Sequence, residues 1–188
     1  MKIIVGVTGA SGVEMSYYLL KALHSIEGCE IHLIVSEGGT RNWGFEMDRP
    51  LADLLTLAHI VHDVNDMAAA ISSGSFVTAG MIVMPCSMKT LAGIASGYAD
   101  NLILRAVDVC LKENRRVVLV PRETPLGKVH LRNLSTTADL GCSIVPPMLT
   151  FYNGPKTIDD QINHIVGKVL MQFGISHDKL VPWKGSAR

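Results

Sequence analysis

Five short apolar runs punctuate the chain, each closed by turn-favouring residues: Ile3–Val7, Ile31–Val35, Gly80–Met84, Val117–Val120 and Ser143–Val145. Near-continuous apolar character, as opposed to strict alternation, marks strands buried on both faces of a parallel sheet. Between the runs, apolar positions recur at helical spacing. Val13–His24 is one such segment, and Leu102–Asn114 is another, with Ile103, Val107 and Leu111 four residues apart. Asp159–Phe173 reads as a closing amphipathic helix, within a C-terminal helix and tail that begin near residue 157. Strands alternating with helices predict an α/β fold, a three-layer doubly wound and mostly parallel sheet with helices on both faces. No repeat and no linker divides the sequence, so 1–188 is expected to be a single domain. Ser72-Ser73-Gly74-Ser75 reads as a loop inside it.

In such sheets ligands bind outside the carboxyl ends of the strands. The segment after each apolar run is therefore a candidate site. The first run enters the glycine turn Gly6-Val7-Thr8-Gly9-Ala10-Ser11-Gly12 and then a helix. Unpaired N–H groups at a helix start, with the positive end of its dipole, favour a phosphate there. The alternative is a tight turn that needs glycine for its backbone alone. The spacing is G-x-x-G-x-x-G, and the second run ends in Ser36-Glu37, so a dinucleotide site is not favoured. After the third run comes Pro85-Cys86-Ser87-Met88-Lys89-Thr90, where Ser87 and Thr90 can cap a helix, bind a phosphate, or both. After the fourth comes Pro121-Arg122-Glu123-Thr124-Pro125, whose charged pair reads as a ligand clamp, with a surface ion pair as the alternative. The last run leads to Pro146-Pro147 and then Phe151-Tyr152.

Lys plus Arg and Asp plus Glu balance at 17 each, so no overall field draws the chain to nucleic acid or an anionic membrane. Hydrophobic residues at 48% argue against disorder. Cys29, Cys86, Cys110 and Cys142 form no C-x-x-C pair, which points to a reducing, cytoplasmic compartment. No stretch reaches the length of a membrane span. His59-x-x-His62-Asp63 has metal-compatible spacing but no further ligand clustered nearby, so a solvated or capping role is the expectation. Cys86 reads as a small buried residue, since no histidine is placed by the sequence to serve it as a nucleophile. Arg105 and Lys112, seven apart on one predicted helix face, read by themselves as solvated.

Taken in order, GVTGASG, Ser36, PCSMKTLAGI, NLILRAVDVCLKE, LVPRETP and PPM-x-x-FY resemble the UbiX-like flavin prenyltransferases from Lys2 to Trp183. ISSGSF followed by MIVMPCSMKTLAGI resembles the branch once described as subunits of aromatic or phenolic acid decarboxylases. The resemblance implies a flavodoxin-like Rossmann fold assembled into a homo-oligomer, commonly a dodecamer, with sites at subunit interfaces. It implies transfer of dimethylallyl from dimethylallyl phosphate to N5 and C6 of reduced FMN, without a metal. The product, prenylated FMN, would pass to a UbiD-type decarboxylase in ubiquinone synthesis or aromatic acid metabolism. Carried over by position, FMN contacts fall on Gly9, Ala10, Ser11, Ser36, Ser87, Met88, Lys89, Thr90 and Arg122. Contacts to the prenyl phosphate fall on Arg105, Lys112, Arg122, Tyr152, Lys168 and Trp183, and the chemistry on Ser11, Glu46 and Glu123.

Four positions depart from relatives: Met67 where some carry tryptophan, a charged Lys89 where others are small, Glu37 for lysine, and Lys168 for arginine. The last keeps the charge and loses the bidentate fork. Competing readings are an FMN-dependent aromatic acid decarboxylase or its subunit, a cysteine-decarboxylating flavoprotein of similar fold, and a non-catalytic FMN carrier.

Overall fold

β1 (Lys2–Val7), β2 (Glu30–Val35), β3 (Ile60–His62), β4 (Gly80–Cys86), β5 (Arg116–Pro121) and β6 (Ser143–Ile144) pair in one wholly parallel sheet. Their order is β3-β2-β1-β4-β5-β6. This computed structural model describes residues 1–183 and 185. The strand order reverses between β1 and β4, and that switch point is where a doubly wound sheet opens a crevice. Leaving out the short edge strand β3, the order is that of a flavodoxin-like sheet; with it, the order is that of a Rossmann sheet.

Among the described residues seven α-helices cover the sheet: α1 (Glu14–His24), α2 (Glu37–Glu46), α3 (Ala52–Leu55), α4 (Met88–Ser96), α5 (Leu102–Lys112), α6 (Lys128–Asp139) and α7 (Ile158–Met171). Side chains alternate across each strand, so the sheet feeds two cores. Ile3, Val5 and Val7 of β1 join Leu19, Leu20 and Leu23 of α1 and Val166 and Val169 of α7. Ile4 faces the other way, into a cluster with Leu91 of α4 and Ile103, Ala106 and Val107 of α5. Burial on both faces is why the central strands read as unbroken apolar runs.

The strands expected from the sequence are present within one or two residues. Three helices and one strand were not legible. α2 buries only Gly39 and Trp43, and α6 only Thr137, so neither carries an apolar stripe. α3 is a single turn of four residues. β3 is an edge strand whose Ile60 and Val61 are exposed. The His59-x-x-His62 spacing belongs to this strand. His59 Nδ1 accepts from Ile31 N at 3.1 Å, and His62 Nε2 lies 2.9 Å from Nδ1 of fully buried His32. His59 is thus exposed and caps a backbone N–H as expected, whereas His62 departs from the solvated reading by its contact with buried His32. Among the described residues no helix is long and apolar enough to cross a membrane.

His32 Nε2 in turn meets Glu30 Oε1 at 2.9 Å, and its ring packs edge-on against Phe76. Lys2 completes the group, 3.6 Å from Glu30 and over the Phe76 ring. Burial, the largest influence, pushes both imidazoles below the ordinary histidine value, although Glu30 pulls His32, and Asp66 pulls His62, the other way. The unfolded chain takes up these protons as pH falls through about 6.5, whereas the folded chain resists them, so folding free energy is lost in that window. Urea unfolding is expected to show lower stability at pH 5.5 than at pH 7.5, with a smaller difference in His62→Gln. An undiminished difference in that variant would contradict the coupling.

Candidate active site

Thr8 is buried at the switch point and ties the two sides of it together. Its hydroxyl donates to Pro85 O and accepts from Ser87 N, each at 2.8 Å, and its N–H also reaches Pro85 O at 3.2 Å. One residue later, Gly9 presses on Gly38 at the start of α2. A Cβ on either would stand 3.0 Å from the other's Cα, so a side chain at either would have to push the two backbones apart by a few tenths of an ångström.

On one side of Gly9, Ser36 caps α2 by accepting from Gly39 N at 3.1 Å. On the other, Ser87 caps α4 by accepting from Thr90 N at 3.3 Å, with the two hydroxyls 3.1 Å apart. The N-termini of α2 and α4 therefore open on one cleft of about 480 Å³, lined by Thr8, Gly9, Ser36, Gly38, Ser87, Lys89 and Thr90. Two positive helix ends and the Lys89 ammonium make that space suited to a phosphate. Glu37, at the same rim, is drawn into an ion pair with Arg41. Asn65, Asp100 and Asn101 close the cleft with amides and a carboxylate that can meet hydroxyl groups.

A second cavity of about 310 Å³ adjoins the first, sharing Gly9 and Ser87 and adding Ala10, Ser11, Asn42, Glu46, Met88, Arg122 and Glu123. Glu46 reaches it from the last turn of α2. Its Oε2 accepts from Gly12 N at 2.7 Å and Val13 N at 3.1 Å, the N–H groups just before and at the α1 cap. Two of the N–H groups expected to serve a phosphate are thus taken up within the chain. A carboxylate of the protein holds them, and the N-termini of α2 and α4 are the ones that open on the neighbouring cleft. Gly12 has φ +95°, so its glycine answers a backbone need.

Arg122 Nε points at Ser11 O, 3.4 Å away, while Glu123 Oε1 accepts from Thr124 N at 2.9 Å. The two charges make no ion pair with each other among the described residues. Ser11, Glu46, Arg122 and Glu123 thus share one cavity beside the anion cleft. Asn42, one helical turn before Glu46, was missed; its i, i+4 relation to Glu46 is the signal, usable only once α2 is known to be a helix. Cys86 is wholly buried, and burial pushes its thiol far up, so it is no nucleophile at neutral pH.

Other positions lie outside both cavities. Arg105 donates to Ser72 O at 3.1 Å and to Asp108 at 2.6 Å, pinning the 70–76 segment to α5. Lys112 pairs with Glu113 at 2.6 Å in the last turn of α5, which leads into the amino end of β5. Within one chain neither lines either cavity. Tyr152 and Trp183 meet elsewhere, after β6, beside the α7 helix that carries Lys168. The Tyr152 ring meets Trp183 edge-on at 5.6 Å and His164 at 5.8 Å, and His164 lies one turn before Lys168 on α7. Met67 is exposed in the loop after β3.

Residues 1–173 match the family model described as Flavoprotein. A protein of Sedimentibacter hydroxybenzoicus described as a probable UbiX-like flavin prenyltransferase is 58% identical over 99% of this chain and 98% of its own. A dodecameric FMN-dependent UbiX-like decarboxylase from Escherichia coli O157:H7 superposes with a TM-score of 0.96 at 50% identity, over 98% of this chain and 100% of that one. AnUbiX (PadA1), solved with FMN and dimethylallyl pyrophosphate, gives 0.95 at 44% identity, over 98% and 97%.

Losing the Glu46 oxygen would strand two N–H donors at the start of α1. Glu46→Ala is expected to cost about 1–2 kcal/mol of folding stability in urea unfolding, and Glu46→Gln, which keeps an acceptor, less. Equal stability for all three proteins would contradict the capping role.

Proposed function

Since the chain belongs to the Flavoprotein family, and within it to the UbiX-like flavin prenyltransferases, we propose that it transfers dimethylallyl from dimethylallyl phosphate to reduced FMN. The observation that carries the reading is the juxtaposition of two cavities: an anion cleft between two helix N-termini, and a chamber holding Ser11, Glu46, Arg122 and Glu123. These residues fit a phosphorylated, hydroxyl-bearing planar ligand. Ser36, Ser87, Thr90 and the backbone N–H groups of α2 and α4 would hold the FMN phosphate, with Lys89 adding charge. Asn65 and Asp100 would meet the ribityl hydroxyls, and Gly9 leaves the two cavities open to each other. Reduced FMN, when bound, supplies the N5 and C6 atoms that take the allyl unit.

The protein's own part is electrostatic and acid–base. Departure of phosphate from an allylic carbon concentrates negative charge on oxygen, which Arg122 stabilises and to which Glu123 can give a proton. Glu46 is the base we assign to ring closure. Its Oε2 is committed to α1, which fixes the carboxylate in place and leaves Oε1 for the proton, directly or through Ser11. Tyr152, Lys168 and Trp183, with Arg105 and Lys112, would complete the prenyl-phosphate side across subunit boundaries. In support, they lie outside the cavities of their own chain, and the Escherichia coli O157:H7 relative is described as a dodecamer. The exposed Met148, Leu149 and Phe151 beside Tyr152 fit burial by a neighbouring copy. We place the protein in the cytoplasm, handing its product to a UbiD-type decarboxylase.

Anaerobic incubation of the purified protein with reduced FMN and dimethylallyl monophosphate, then mass spectrometry of the released flavin, tests the reading. A mass gain of one dimethylallyl unit is the expected result; unmodified FMN from protein that binds it would overturn it. Glu46→Gln is expected to form ring-closed product about a hundredfold more slowly or worse. Product at the normal rate would remove Glu46 from the chemistry. The decarboxylase description of the Escherichia coli O157:H7 relative favours a second reading, which predicts CO2 release from an aromatic acid by the purified chain alone.

A further inference from the structure

Beyond its exposed first turn, α7 is buried almost all round. Of residues 161–170, Lys168 is the exposed one. Three of the buried positions are polar: Gln161, Asn163 and His164. Gln161, His164 and Lys168 stand at i, i+3 and i+7, one stripe along the helix. The first two hold the loop that carries Tyr152. Gln161 accepts from Thr150 N at 2.9 Å and donates to Thr150 O at 2.8 Å, closing a two-point clamp on the backbone. His164 Nδ1 sits 3.4 Å from Asn153 Nδ2, and its ring lies edge-to-face with Tyr152 at 5.8 Å. Thr150 Oγ1 in turn donates to Asn153 Oδ1 at 3.1 Å, so both neighbours of the 151–152 pair are fixed.

Burying three polar side chains costs free energy that these bonds only offset. An apolar stripe would pack α7 more simply. What the polar stripe adds is a defined position for one aromatic ring. We propose that His164 is a positioning residue that fixes Tyr152 toward the Lys168 side of α7, and thereby sets the affinity for the dimethylallyl phosphate donor. The inference rests on the prenyl-transfer reading and deepens it, since it concerns how the donor's phosphate is met.

The charge state of His164 matters to this role. As an acceptor from Asn153 it must carry no proton on Nδ1. Burial first, and then the Lys168 ammonium, hold it below the ordinary histidine value. Lys168 and Tyr152 are the ionisable groups set against it here, and neither offers a counter-charge to an imidazolium. Protonation in acid would set two donors against each other at Asn153 and loosen the Tyr152 loop.

The test compares wild type with His164→Asn, which keeps a polar atom and loses the ring, and His164→Phe, which keeps the ring and loses the acceptor. With reduced FMN and dimethylallyl monophosphate, His164→Asn is expected to raise the donor KM about tenfold while kcat and reduced-FMN affinity stay within about twofold. Wild type is expected to show a donor KM that climbs as pH falls below about 6.5, and His164→Phe is expected to raise KM less and to abolish that climb. Gln161→Leu, which frees Thr150 without touching His164, should also raise the donor KM. Wild-type KM in all three variants overturns the inference, as does a loss of FMN affinity in step with KM, the mark of a merely structural role. A wild type that makes no prenylated flavin removes the reading beneath it, an outcome distinct from an active wild type with indifferent variants.

Discussion

The Thr8 hydroxyl donates to Pro85 O and accepts from Ser87 N at the point where the strand order reverses, which joins the ends of β1 and β4 through a single buried atom. That atom sets where α4 begins, because Ser87 is both its partner and the α4 cap. On the other flank, the Gly9–Gly38 contact sets where α2 begins. Two helix N-termini then open on one cleft at a spacing fixed by the sheet. Buried hydrogen bonds of this kind contribute modestly to net stability, but leaving their partners unmade is expensive, so they specify geometry more than they add energy.

Glu46 extends the same logic to the second cavity. A carboxylate that holds the N–H groups leading into α1 is both an anchor and a fixed charge. The glycine turn in the sequence is the mark of an anion site, and an anion does sit there, supplied by the chain itself from 34 residues away. The serine-capped helices on either side are the ones that open on the cleft.

This arrangement explains how much of the molecule was legible in its sequence. The central strands declared themselves because burial on both faces leaves only apolar residues. β3 did not, being three residues at an exposed edge with histidines on it. α2 did not, because a helix that buries only Gly39 and Trp43 carries no stripe, and with it went Asn42 and the capping role of Glu46. Ser11, Ser36, Ser87, Thr90, Arg122 and Glu123 were found by reading the segment after each strand, together with a family resemblance, whereas Asn65 and Asp100 on the cleft were not. Arg105 and Lys112 show where that approach stops. A residue type matched by position carries no information about which chain's cavity it faces, and within one chain these two lie on the flank of α5, tied to Asp108 and Glu113. Tyr152 and Lys168 were legible as types, whereas the buried Gln161–His164 stripe behind them was hidden inside an ordinary amphipathic period.

The central claim is that the Thr8 junction creates the phosphate subsite, and affinity for flavins with and without a phosphate tests it most directly. Titrating FMN and riboflavin into wild type and Thr8→Val separates the phosphate contribution from that of the ring. The account predicts that wild type binds FMN about a hundredfold more tightly than riboflavin, and that Thr8→Val loses most of that ratio while riboflavin binding changes little. Equal affinity for the two flavins in wild type, or an undiminished ratio in a folded Thr8→Val, would contradict it.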